Sequence, residues 1–210
     1  MFVDIHTHHL PSSGTVVIRN ISFAELEKVF NTEGAGYFSA GLHPWCADDF
    51  TAESFAILED RVSDKRLVAI GECGLDKNSK ATFEQQLFVF EQHIALSERI
   101  QKPLIIHCVG YFNELFEIKN KLRPQQLWII HGFRGKPELA GQAIKSGCSL
   151  SFGEYFNPES IGVTPVDQLY IETDESTLAI EEIYARISKI KNCKAEELSA
   201  GKNLIHSLAR

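Results

Sequence analysis

Residues 67–72 read LVAIGE and residues 103–108 read PLIIHC. Each is a short apolar run with an ionisable residue, Glu72 or His107, at or beside its C-terminal end. Neither run alternates apolar with polar residues. Strands covered on both faces, as in parallel sheets, have this pattern. Short apolar runs recur outward in both directions, several of them without a clean polar alternation. They lie at Phe2–His8, Thr15–Asn20 and Tyr37–Leu42 on one side, and at Leu127–His131, Cys148–Phe152 and Gln168–Thr173 on the other.

Amphipathic stretches lie between these runs. The spacing predicts helices over Ser22–Asn31, Thr51–Ser63, Thr82–Ile100, Phe112–Lys121, Pro137–Lys145, Ser176–Ile190 and Ala195–Leu208. Glu154–Val163 holds Pro and Gly and is the weakest helix candidate. Ser22 with Glu25 forms a capping-box pattern, and Thr51 with Glu53 opens the second helix in the same manner. In the longest stretch Phe83, Leu87, Phe90, Ile94 and Ala95 or Ser97 fall on one stripe.

Eight strands alternating with helices predict an α/β chain of TIM type, a (β/α)8 barrel. Each strand–helix unit has about 26 residues, in a fold whose typical length is ~250. The expected barrel is therefore compact, with short loops and one distorted or missing helix near Glu154–Val163. The rival is an open doubly wound sheet. No GxGxxG or P-loop follows an early strand, which removes its main support. Residues 1–210 show no linker, repeat or low-complexity tract and read as a single domain.

Hydrophobic residues make up 44% and charged residues 23%, so the chain can bury a core and is not disordered. The formal net charge is −7. A protein that coats duplexes by charge alone would be basic, so any nucleic acid must be met at a local site. The five cysteines, Cys46, Cys73, Cys108, Cys148 and Cys193, are odd in number and form no CxxC pair. A disulfide framework and a thiolate zinc site are thereby disfavoured, and a reducing cytoplasm is the expected compartment. The opening MFVDIHTHHLP has no signal-peptide features, and no segment approaches the ~20 apolar residues of a membrane span. No membrane association and no obligate protein partner are predicted.

Six ionisable residues stand at expected strand ends: His6, His8, Glu72, His107, His131 and Asp174. In a barrel those ends share the face where active sites are built. His6 and His8 are two apart on one strand and so point the same way. A single histidine at a strand end is commonly a hydrogen-bonded loop residue. Six such groups from five strands are another matter, because gathering them without a cation would be costly. Imidazole with carboxylate suits Zn, Mn, Fe, Co or Ni, and carboxylates also take Mg. One catalytic zinc uses three protein ligands. Six therefore predict two divalent ions (Mg, Mn, Zn, Co or Ni), with Glu72 as the bridging carboxylate.

These residues resemble the TatD family of metal-dependent hydrolases. The matching segments are DIHTHH (4–9), GLHP (41–44), AIGECGLD (69–76), the run from Phe83 to Cys108, IIHGFRG (129–135) and IETD (171–174). The resemblance implies a (β/α)8 barrel and hydrolysis of phosphodiester bonds, typically in DNA. It places the metal ligands on the same six residues, with His6, His8 and Asp174 sharing one ion with Glu72, and His107 and His131 serving the other. The chain departs from the family at Val109-Gly110, at Lys77 and at Glu175-Ser176-Thr177, and family members are typically longer.

The expected activity is that of a hydrolase acting on ester bonds, a deoxyribonuclease using metal-activated water. Asp174 serves as general base and ligand, Glu72 as its catalytic companion, and DNA or another phosphodiester as substrate. The alternatives are a hydrolase of a small phosphoester, amide or ester, and a metal-binding interaction protein without catalysis. His43 and Arg134 are the candidate substrate-binding residues, with Lys77, Lys80 and Lys136 as further loop cations. Tyr111, Phe112 and Phe133 could stack a base or simply pack. Asp4 is a carboxylate behind the ligands. His9 reads as structural, His93 and His206 as core or solvent histidines, and Cys73 and Cys108 as core thiols.

Overall fold

A computed structural model describes residues 2–10, 14–30 and 36–208, and its residue contacts fall into two units, 1–19 with 129–210 and 20–128. In chain order the elements are β1 (Val3–Thr7), β2 (Val16–Ile21), α1 (Phe23–Phe30), β3 (Tyr37–Ala40), α2 (Ala52–Glu59), β4 (Leu67–Asp76), α3 (Phe83–Ile100), β5 (Leu104–Val109) and α4 (Phe112–Leu122). They continue with β6 (Trp128–Ile130), α5 (Pro137–Lys145), β7 (Ser149–Phe152), α6 (Pro158–Val163), β8 (Leu169–Ile171), α7 (Ile180–Lys191) and α8 (Ala200–Leu208). Short stretches of 3-10 helix lie at Pro44–Asp49, Val166–Gln168 and Ala195–Glu197.

In the 20–128 unit, β3, β4 and β5 are parallel and adjacent in chain order. All ten residues of β4 are buried. The strand runs four residues past the expected end at Glu72, because Cys73 to Asp76 continue the pairing with β5, Gly74 opposite His107. The register slips between Ile70 and Cys73, a bulge that re-aims the side chain of Glu72. Gly74 has φ +140, and a Cβ there would collide with the carbonyl oxygen of His107. Only glycine lets the two strands approach so closely.

Helix α3 starts at Thr82, whose hydroxyl accepts the Gln85 N–H in a capping box. The buried face is Gln86, Val89, Phe90, His93, Ile94, Leu96 and Ser97, so the predicted stripe is rotated and Ala95 is exposed. Two polar groups lie in the interior because the backbone satisfies them. Gln86 accepts the Asp76 N–H at 2.7 Å and donates to the carbonyls of Asp76 and Ala81. His93 accepts the Leu42 N–H at 2.9 Å through Nε2, and Nδ1 lies 2.7 Å from the Val89 carbonyl. At the other helices, the Glu25 carboxylate accepts from Ser22 as the pattern predicts. The Thr51 box closes on Ser54 rather than Glu53, since the side chain three residues on is the one in reach.

Burial pushes the His93 pKa down to about 4, and the bond to Val89 only partly opposes this. Unfolded, the same ring takes its proton near 6.5. The neutral ring therefore stabilises the fold fully above pH 6.5, and that contribution is lost as pH falls toward 4, by up to about 3 kcal/mol. Urea denaturation at pH 7 and pH 4 should show a smaller acid loss in His93→Gln than in the parent. Equal losses would show that His93 does not carry the acid sensitivity.

In the other unit β1 pairs in parallel with β2, β6 with β7, and β7 with β8. A single bridge, Thr7 to Asp174, links β1 to the end of β8. The Asp174 N–H donates to the His6 carbonyl at 2.9 Å, and the His8 N–H donates to the Asp174 carbonyl at 3.2 Å. The stretch expected to hold a distorted helix contains the six residues of α6, capped by Asn157. Helix α7 begins four residues later than predicted, because Ser176 donates to Glu154 and accepts the Leu178 N–H instead of starting a helical turn. The predicted last helix divides into the Ala195–Glu197 turn and α8, where Gly201 packs against Val3 and Ile5. The Tyr184 hydroxyl donates to the Val3 carbonyl at 3.0 Å.

Candidate metal centre

The 1–19 and 129–210 unit brings His6, His8 and Asp174 together. Asp174 Oδ1 lies 3.7 Å from His6 Nε2 and 3.6 Å from His8 Nε2. His6 is fully buried, while the side chains of His8 and Asp174 are 37% and 28% exposed. Asp174 sits at φ +56, the left-handed region that Asp tolerates better than most residues. Its backbone bonds to His6 and His8 over-determine that conformation and aim the carboxylate at their rings. His131 packs against His6 with ring centroids 4.3 Å apart.

Glu172, one alternation back along the strand direction from Asp174, is not among the residues the sequence singles out. It is fully buried, accepts the Gly132 N–H at 2.6 Å, and has the same oxygen 3.4 Å from His131 Nδ1. Burial raises its pKa, but the hydrogen bond and charge of His131, with the charge of His6, outweigh that and hold it below the ordinary carboxylate range. A carboxylate on one ring nitrogen of a histidine orients the ring and leaves the other nitrogen for a ligand. Behind β1, Asp4 accepts from Thr173 Oγ1 at 2.6 Å and from the Thr173 N–H at 3.0 Å. Burial, opposed by these bonds, lifts its pKa to about 7.

The 20–128 unit forms a second group around Glu72. His107 Nδ1 is 2.8 Å from Glu72 Oε1, and His43 Nε2 is 3.3 Å from the same oxygen. The Glu72 N–H donates to the side-chain oxygen of Asn20. His43 Nδ1 accepts the Trp45 N–H at 3.1 Å, so in the neutral ring the proton belongs on Nε2, turned to Glu72. His107 Nε2 lies 2.9 Å from Asp76 Oδ2, which also accepts from the Trp45 indole at 2.7 Å. Burial raises the Asp76 pKa, but the Asn78 N–H, His107 and Trp45 together bring it below the ordinary range. Asp76 and Trp45 are also absent from the residues the sequence singles out. Period two along a strand would place Glu72, Gly74 and Asp76 on one face, a signal hidden by ending the strand at Gly71-Glu72.

The donor chemistry fits divalent cations. The ligand atoms of His6, His8 and Asp174 lie within 4.8 Å of one another, as do those of His43, Glu72 and His107. Among the remaining candidates, Phe133 is buried packing, Cys73 is a buried thiol whose pKa burial and then Glu72 push up, and His9 and His206 are exposed. All five cysteines are free. Two departures from the family pattern meet in space, for Lys77 packs on Gly110 and lies 5.0 Å from the centre of the Tyr111 ring.

The family model for TatD related DNase matches residues 12–201. The chain belongs to the TatD family. Over 169 residues it is 27% identical to the 3'-5' ssDNA/RNA exonuclease TatD of Erwinia billingiae, a match covering 76% of this chain and 65% of that protein. Over 147 residues it is 33% identical to the uncharacterized metal-dependent hydrolase YabD of Bacillus subtilis, covering 66% of this chain and 58% of that protein. The matches thus span less than two thirds of these curated relatives. Among solved structures, the TatD homolog YJJV from Escherichia coli aligns with a TM-score of 0.84 at 21% identity, covering 99% of this chain and 97% of that one. A TatD family hydrolase from Entamoeba histolytica aligns with a TM-score of 0.72 at 18% identity, covering 99% and 96%. These likenesses establish the fold of this TatD-family chain as the expected TIM-type (β/α)8 barrel. No helix among the described residues is long and apolar enough to cross a membrane.

Proposed function

We propose that this TatD-family chain is a metal-dependent phosphodiesterase that shortens single-stranded nucleic acid. The observation that carries the reading is the pair of histidine–carboxylate groups, His6–His8–Asp174 and His43–Glu72–His107. The names of its relatives as metal-dependent hydrolases and ssDNA/RNA exonucleases support it. The proposal takes residues 1–210 as one working domain, a view supported by a family model that runs across both contact units. A reducing cytoplasm suits its free thiols.

His6, His8 and Asp174 would hold one ion and His107 and His131 the other, with Glu72 serving both, as the family's barrel gathers strand ends on one face. When bound, such ions acidify water and neutralise charge on phosphoryl oxygens. Asp174 takes the proton of the attacking water on its carboxylate. His43, held by the Trp45 N–H in the tautomer that carries its proton on Nε2, would turn that proton from Glu72 to a phosphate oxygen when Glu72 is engaged by cations. Asp76 and Glu172 act on His107 and His131 by fixing ring orientation. Arg134 meets a further phosphate.

The test is digestion of matched single-stranded DNA, RNA, duplex DNA, a small phosphodiester and a carboxylic ester by chelator-stripped protein resupplied with Mg, Mn, Co or Zn. Metal-dependent shortening of single strands ahead of duplex is expected. So is saturation at two ions per chain by calorimetry, reduced to one by His107→Ala with His131→Ala. Turnover of the ester alone would overturn the nuclease reading. Saturation at one ion, untouched by those substitutions, would overturn the two-ion reading.

A further inference from the structure

Beside Asp174 lies a hollow of about 350 Å³, lined among others by Arg134, Glu154, Tyr155, Glu172 and Glu175. A shallower hollow of about 760 Å³ shares Arg134, Glu154 and Tyr155 with it. These three residues therefore form the ridge between the two hollows. Arg134 follows β6 and Tyr155 follows β7, so both sit on loops after strand C-terminal ends, the side on which this fold builds its sites. Tyr155 is 63% exposed, and the Arg134 guanidinium carbon lies over one face of its ring, 5.3 Å from the centroid. An aromatic ring left so open beside a cavity is a platform for another flat group.

The hollow includes Asp174 in its lining, so a group that enters it lies next to the proposed metal centre, and Arg134 is the one Lys or Arg in that lining. The volume is near the lower end of the ~300–1,000 Å³ of small-molecule sites, room for a single nucleoside and too little for a duplex.

The geometry points to a nucleobase subsite: the hollow receives the base of the nucleotide next to the cleaved bond, stacked on Tyr155, while Arg134 on the ridge meets the neighbouring phosphate. This rests on the nuclease reading and names the part of the substrate that the site recognises. Stacking needs an unpaired base and accepts any of the four, so it gives single-strand preference without sequence preference.

The test uses one single-stranded oligonucleotide in two forms, with a normal or an abasic residue at the end that is shortened, and measures kcat and KM for each. The parent should favour the base-bearing end by about 10-fold in kcat/KM, mainly through KM. Tyr155→Ala should bring that ratio near 1, and Tyr155→Phe, which keeps the ring, should preserve it. Arg134→Ala should raise KM for both forms and reduce the salt dependence by about one phosphate contact. A parent ratio near 1, or a ratio that survives Tyr155→Ala in a folded variant, overturns the subsite while leaving the nuclease reading in place. A parent inert toward both forms overturns the nuclease reading, and the subsite with it.

Discussion

Asp174→Asn should lower the rate of hydrolysis by more than about 100-fold at saturating metal while the chain stays folded. The substitution keeps the size of the side chain and one oxygen near His6 and His8. It also keeps the backbone, since asparagine is as much at home at φ +56 as aspartate. What disappears is the charge and the basicity on which the proposed roles of Asp174, as ligand and as base, depend. Glu72→Gln should behave differently. Glu72 Oε1 is the oxygen approached by both His43 and His107, so its loss should lower ion occupancy along with rate. Rate and occupancy measured on the same samples separate the two. Near-parental activity of Asp174→Asn at full occupancy would remove Asp174 as the base.

Gly74→Ala should prevent the chain from accumulating folded. Its methyl group would be driven into the His107 carbonyl oxygen, which is backbone and has no room to give, at a φ of +140 that L side chains rarely adopt. Relief requires β4 and β5 to separate where every residue of β4 is buried. The expected loss exceeds about 4 kcal/mol, the range reserved for strain or for loss of core packing. Gly141→Ala is the counterpart. Gly141 lies in α5 with nothing within 4 Å of the added carbon, so alanine there should stabilise by about 0.5–1 kcal/mol. Thermal melting of both variants decides, and a Gly74→Ala chain melting near the parent would show that the strands yield more readily than this packing allows.

Much of the fold is legible because short apolar runs occur at eight places, several without alternation, and helical stripes fall between them. Strand ends are legible to within a few residues except at β4, where the end expected at Glu72 leaves out Cys73 to Asp76, a continuation that Gly74 allows. The buried face of α3 is misread for a related reason. Hydrophobic periodicity gives no weight to Gln86 and His93, and both are interior because backbone groups satisfy them. In the site, histidines and carboxylates at strand ends stand out from their apolar neighbours. Asp76 and Glu172 do not, since their roles depend on which ring each one touches across strands. Arg134 is visible as a loop cation, but its partner Tyr155 is noticed only once two separate loops are seen side by side.

The Asp174 bridge also bears on when the site comes into being. His6 and His8 leave the ribosome before the carboxylate that faces them, which follows 166 to 168 residues behind. The backbone bonds that seat Asp174 are the same ones that join the first strand to the end of the last. Until that late segment has been synthesised and docked, the two histidines have no carboxylate from this bridge to complete their group. A nascent chain therefore has little means of capturing an ion there early, and an ion that binds only the finished arrangement adds its binding energy to the finished arrangement alone. On the proposed assignment, a product truncated before Asp174 would carry both histidines and lack the carboxylate that completes their group.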